Sequence, residues 1–173
     1  MISRLQSVVP YRRWLYFAAS LTCVAIIAFA LYLQHYRYME PCWLCYLQRG
    51  GVLLTGIVCF FAAVQNPKFL GLRVYAALVT LTAGGGAAVA IRHLYIQSLP
   101  IEEVQNCGQT VTMLLEEMPY FTALLKMLEG SAECWGQEPV MGLPLPAWTL
   151  LFFSAMIIFA WGLAFLFSKN KAV

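Results

Sequence analysis

Charge is what this chain has least of. Lysine, arginine, aspartate and glutamate make up only 11% of its 173 residues, and all eight acids are glutamates. A soluble domain carries roughly 25% charged residues. Against that standard, 61% hydrophobic residues and a mean hydropathy of +0.72 exclude an ordinary soluble fold. No internal repeat and no low-complexity tract is present, which sets aside repeat arrays and compositionally biased tails. The net charge of +3 gathers into no basic patch, so a nucleic-acid footprint is missing. Six cysteines include one close pair, Cys42 and Cys45, and no second. A zinc ribbon needs two such pairs, so the expectation is that no metal is bound.

What is there is an integral membrane protein, read as one domain over residues 1–173. Four uninterrupted apolar segments lie at about 14–33, 47–64, 74–91 and 147–167. Each is near the ~20 residues that a ~30 Å hydrocarbon core demands of a helix. Without water to satisfy the backbone, such segments must be helical, so the fold class is an all-α four-helix membrane bundle. The first segment, with Arg12 and Arg13 before it and Ala28-Phe29-Ala30 near its end, mimics a signal peptide. Its apolar run exceeds the usual 7–15-residue signal core, so it is read as a retained span.

Charge also orients the bundle. One side receives Arg4, Arg12, Arg13, Lys68, Arg73, Lys169 and Lys171 and no acid; the other receives four cations and all eight glutamates. The lysine and arginine excess marks the cytoplasmic side, which places both termini inside. The loops at about 34–46 and 92–146 then face out. The second, about 55 residues long, far exceeds a typical connection and so is expected to carry function. Within it Pro119 opens and Gly130 closes a short amphipathic helix, with Phe121, Leu124, Leu125 and Leu128 on one face and Thr122, Lys126 and Glu129 on the other. Such a helix lies on the outer leaflet or packs as a lid on the bundle ends.

The chemistry is in the cysteines. Cys23 and Cys59 fall inside spans, where a thiol packs as a small hydrophobe. Cys42, Cys45, Cys107 and Cys134 face out, and an oxidising compartment would hold them as disulfides. Two residues between Cys42 and Cys45 make an internal bridge the default, and such motifs are redox-active. Pro41 opens a helix there, bringing both sulfurs near its N-terminal N–H groups, which favour thiolate. Arg49, four residues past Cys45, shares its face and can stabilise that thiolate or polarise a carbonyl acceptor. A bland alternative makes Arg49 an interfacial anchor. Cys107 and Cys134 lie 27 positions apart, and an unstrained bridge across such a loop contributes about 3–4 kcal/mol. A structural staple sits below about −300 mV and a strong soluble thiol oxidant near −120 mV, so electrons would climb ~180 mV, about 8 kcal/mol. A loop pair that accepts electrons must therefore be labile and coupled to a stronger sink, such as a membrane quinone.

Over essentially its whole length the chain resembles the DsbB disulfide bond formation proteins of the bacterial inner membrane. The likeness rests on the four spans, Pro41-Cys42-Trp43-Leu44-Cys45 with Gln48-Arg49, the Cys107/Cys134 loop pair, and Gly142-Leu143-Pro144-Leu145-Pro146-Ala147-Trp148 before the last span. It implies disulfides Cys42–Cys45 and Cys107–Cys134, and a DsbA-like periplasmic thiol oxidase as partner. That partner would attack Cys107; Cys134 would pass to Cys42; and Cys45 would deliver electrons to ubiquinone, or menaquinone when oxygen is scarce. Cys45, Arg49 and His93 are the implied quinone-site residues, although a histidine at a span boundary can equally face headgroups. The Trp-Leu pair inside the motif is bulky, and Gly84-Gly85-Gly86 is unusual in a span, where close helix packing is the common use of small residues. Rival readings are a dedicated paralogue serving one thiol oxidase, a vitamin K epoxide reductase-like enzyme (whose cysteine motif comes after its loop cysteines), and a non-enzymatic tetraspan scaffold with stapled loops.

Overall fold

The computed structural model describes residues 11–38, 41–100, 116, 118–130, 134 and 141–168. Among these there are five helices and no strand: α1 (Tyr11–Tyr36), α2 (Trp43–Gln65), α3 (Phe69–Ser98), α4 (Tyr120–Glu129) and α5 (Leu145–Ser168). α1, α2, α3 and α5 are each long and apolar enough to cross a membrane. The four spans read from the sequence lie within these helices, which run on beyond the apolar windows at most ends.

α1 packs along α2, α2 on α3, and α3 along α5. Between them lies an apolar core in which Tyr16, Cys23, Cys59, Leu72, Val79 and Phe153 are buried. Outward-facing positions are apolar too, as in Leu21, Leu54, Leu81 and Ile158, because the solvent they meet is lipid. Polar side chains in the spans return to their own helix: Thr22 donates to the Ala18 carbonyl, Thr80 to Ala76 and Ser154 to Leu150, which pairs these hydroxyls within hydrocarbon, while the buried Tyr16 hydroxyl has no partner among the described residues. Trp161 on α5 donates its indole N–H to Thr80 at 2.9 Å, tying the two helices.

Of the three consecutive glycines in α3, Gly86 is the one that packing requires. A Cβ there would run into the Phe153 ring, while Gly84 and Gly85 face open space. Gly51 on α2 meets the same spot, where an added Cβ would lie 3.1 Å from Gly86 Cα. Three helices thus close on one another at Gly51, Gly86 and Phe153.

At one end of the bundle, Asn66 caps α2 in the left-handed region (φ 45), and Arg12 clasps its side-chain oxygen at 2.8 and 3.1 Å. At the other end α4 lies against α2. Ala123 and Met127, one turn apart, are buried on Trp43. Phe121, Leu124 and Leu125 stay exposed. The helix therefore docks through its smallest apolar residue and a methionine, and offers its larger apolar side chains outward.

Candidate active site

Cys42 stands at the N-cap of α2 in extended conformation, and its carbonyl accepts the Tyr46 N–H at 3.2 Å. Cys45 is therefore the third helical residue, within the first turn where N–H groups point outward. One turn of helix brings the two Sγ atoms to 3.3 Å. Cys42 is fully buried and Cys45 half-buried.

The Trp-Leu pair inside the motif turns out to be the mortise for the long loop. Trp43 seats α4 through Ala123 and Met127, and Leu44 packs with Ile96, Cys42 and Cys134. Gly130, which ends α4, has φ +85, a conformation that residues with side chains rarely adopt, and a Cβ there would run into the end of the Ile96 side chain. Cys134 arrives fully buried, its thiol hydrogen-bonded with that of Cys42. That bond, a second one with Cys45 and burial together push the Cys42 thiol well above its ordinary range. Cys107 lies outside the described residues, so its pairing with Cys134 does too.

His93, near the end of α3, is fully buried behind Cys42. Its Nε2 lies 3.8 Å from Cys42 Sγ and 3.2 Å from the Cys134 carbonyl oxygen. Its Nδ1 lies 3.2 Å from Gln48 Nε2. An amide nitrogen can only donate, so Nδ1 accepts and the neutral ring carries its proton on Nε2. Thr149 on α5 completes the line by donating to Gln48 Oε1 at 2.8 Å. Cys42, Cys45 and His93 offer three soft ligand atoms within 4.8 Å of one another. Holding an ion would require the Nε2 lone pair, which this tautomer gives up to the N–H facing Cys134.

On the other side of the dithiol is a cavity of about 480 Å³ between α1, α2 and α5, within the size range of small-ligand sites. Ile26, Leu33, Val52, Leu145 and Phe152 give it apolar walls, and Cys45, Gln48, Arg49 and Thr149 supply its polar points. Arg49 reaches it with its guanidinium held from α1: it donates to Gln34 Oε1 at 2.6 Å and to the Ala30 carbonyl at 3.3 Å. The Tyr46 ring lies under it at 5.6 Å. Cys45 and Arg49 thus share the cavity, whereas His93 is not among its lining residues and touches it only through Gln48.

Of the residues singled out in the sequence, Cys42, Cys45, Cys134, His93 and Arg49 therefore meet at one end of the bundle. Gln34, Gln97 and Thr149 were not singled out. A polar residue one turn from a key side chain inside an apolar helix was the available signal for Gln97; Gln34 and Thr149 act across helices and leave no such trace.

A membrane helix bundle that buries a dithiol beside a third cysteine defines a class, the membrane thiol oxidoreductases. Comparison with known proteins makes the assignment specific. The family model for disulfide bond formation protein DsbB matches residues 12–163. Disulfide bond formation protein B of Marinobacter nauticus is 41% identical over 149 residues, 84% of this chain and 88% of that protein. Its namesake in Hahella chejuensis is 42% identical over 153 residues, 86% of this chain and 93% of the relative, and that of Chromobacterium violaceum 41% identical over 137, 79% and 82% respectively. No solved structure matches the chain. The chain belongs to the DsbB family.

Proposed function

We propose that this protein reoxidises a DsbA-like periplasmic thiol oxidase and passes the electron pair to a membrane quinone, from the bacterial inner membrane with its cysteine end facing the periplasm. The observation that carries this reading is that the dithiol separates two environments. Cys42 touches Cys134 of the long loop, while Cys45 opens with Arg49 onto an apolar cavity.

The cycle conserves electrons at each exchange. The partner's thiolate attacks Cys107 of the Cys107–Cys134 disulfide and releases Cys134 as thiolate. Cys134 attacks Cys42, forming Cys42–Cys134 and breaking Cys42–Cys45, so the electron pair arrives on Cys45. The partner's second thiol then displaces Cys107, which attacks Cys134 and restores the loop disulfide. Cys42 leaves as thiolate beside the His93 Nε2–H, and recombines with Cys45 as the pair departs. A quinone ring in the cavity supplies the acceptor, taking two electrons and two protons to become quinol. Arg49, already oriented by Gln34 and Ala30, holds positive charge next to Cys45 and so favours its thiolate over the thiol. The apolar walls suit an isoprenoid quinone and exclude water from the sulfur.

The test is quinone reduction by the purified protein, with a reduced DsbA-like protein as donor. Quinol should form rapidly, and Cys45→Ser and Cys107→Ser should each abolish it. Intact, unreactive disulfides across several donors and quinones would instead establish a stapled scaffold.

A further inference from the structure

The backbone carbonyl of Cys134 is held twice. Gln97 donates its side-chain N–H at 3.0 Å, and His93 Nε2 lies at 3.2 Å from the same oxygen. A carbonyl oxygen has two lone pairs, and both are taken. His93 and Gln97 are four residues apart, so they rise from one face of α3. His93 is no loose arm: it is braced from behind by Gln48, itself buried and anchored by Thr149. The frame thus runs from α5 through α2 to α3 and ends on one peptide oxygen in the long loop.

We propose that Gln97 is a positioning residue for exchange between the two disulfides, clamping the Cys134 backbone together with His93 so that its sulfur is presented to Cys42. The clamp's value is that it grips the main chain and not the thiol. In the proposed cycle, on which this role rests, Cys134 Sγ must change partners from Cys107 to Cys42 and back. With the carbonyl fixed at two points, the Cys134 sulfur can still turn toward or away from Cys42 by rotation about the Cα–Cβ bond, over staggered positions available to any cysteine. In the step itself, Cys134 thiolate bonds to Cys42, the Cys42–Cys45 bond breaks, and its electron pair leaves on Cys45. No oxidant is consumed and no proton need move. Thiol exchange is steeply sensitive to how closely the sulfurs are held, so the clamp acts as local concentration.

That concentration can be read without quinone or protein partner. In a Cys45→Ser/Cys107→Ser variant, Cys42 and Cys134 are the only cysteines left outside the spans, and equilibration against a dithiothreitol redox buffer gives the stability of their bridge. Adding Gln97→Ala should lower that equilibrium constant about tenfold, the size of one lost hydrogen bond, a shift of about 30 mV for a two-electron couple. Gln97→Glu, which keeps the length but turns an oxygen toward the carbonyl, should lose at least as much. The Cys42–Cys45 bridge, measured in a Cys107→Ser/Cys134→Ser background, should be unmoved by either change. An unaltered Cys42–Cys134 constant overturns the clamp, as does its failure to form in the parent variant. A parallel fall of both bridges also overturns it, because that reveals general damage to the bundle. Absent quinol formation by the wild type counts against the cycle alone, since this equilibrium does not depend on it.

Discussion

Two pairs of cysteines in this molecule are equally hidden and set in opposite surroundings. Cys23 and Cys59 are 1% and 0% exposed in the middle of the bundle; Cys42 and Cys134 are both 0% exposed at its end. Cys23 packs against Gly56, and both mid-bundle cysteines sit in a core of Val52, Ala62, Val79 and similar side chains. Cys42 has Cys45, Cys134 and His93 around it. Burial alone makes a thiol inert; what separates the pairs is the set of hydrogen-bonding neighbours within a few ångströms. In the proposed cycle, reactivity is a property of the neighbourhood.

The contrast is sharpest in turnover. Cys42→Ser should cut quinol formation about a thousandfold or more, since the exchange cysteines act as a unit, whereas Cys23→Ala and Cys59→Ala should leave it within about threefold. A silent Cys59→Ala protein with intact helices would break the comparison. Next in size, Arg49→Leu should lower kcat/KM for quinone by about 10- to 100-fold, the usual cost of losing a charged hydrogen-bonding group, while the exchange with the thiol donor, followed by trapping mixed disulfides, stays intact. In the dry half the lever is volume, not chemistry. Gly86→Leu should destabilise the bundle by about 1–3 kcal/mol through overpacking on Phe153, visible as a lower thermal midpoint in detergent and partly restored by adding Phe153→Ala.

The smallest effect concerns pH. In the reduced protein the Cys42 thiol is held above its ordinary range, first by the bond with Cys134, then by Cys45 and burial. A group whose folded pKa is raised contributes stability below its unfolded pKa, about 8.5 for a thiol, and loses it as pH rises further. Reduced wild-type protein should therefore lose stability between pH 8.5 and 10 more steeply than Cys42→Ser, by up to about 1.4 kcal/mol per pH unit. Parallel curves would show that Cys42 ionises as readily folded as unfolded.

Much of this was legible in the chain because it is written locally. Four apolar runs dictate four helices, and Pro41 before a CxxC dictates which end of α2 carries the sulfurs. Arg49 falls on the Cys45 side because both belong to one helix. What stayed hidden depends on which helix stands beside which. Thr149 reaches Gln48 across 101 positions and Gln97 reaches Cys134 across 37, and neither spacing has a period to betray it. The short helix shows the same limit: its pattern marks Phe121, Leu124, Leu125 and Leu128 as the apolar face, yet Ala123 and Met127 make the contact with Trp43. The role of Trp43 and Leu44 as the loop's seat likewise needs the docked α4 and Cys134 to be seen.

The closure at Gly51, Gly86 and Phe153 has a consequence for the membrane itself. Gly86 lies two turns before His93 on α3, about 10 Å along the axis, and Phe153 one turn past Thr149 on α5. The polar line through Thr149, Gln48 and His93 thus lies one to two turns from the point where α2 and α3 meet glycine to glycine and the Phe153 ring of α5 fills the contact. No file of water can thread that contact. In the proposed cycle charge is separated at one end of the bundle, and a contact this tight, built from two missing side chains and one ring, would insulate the remainder of it.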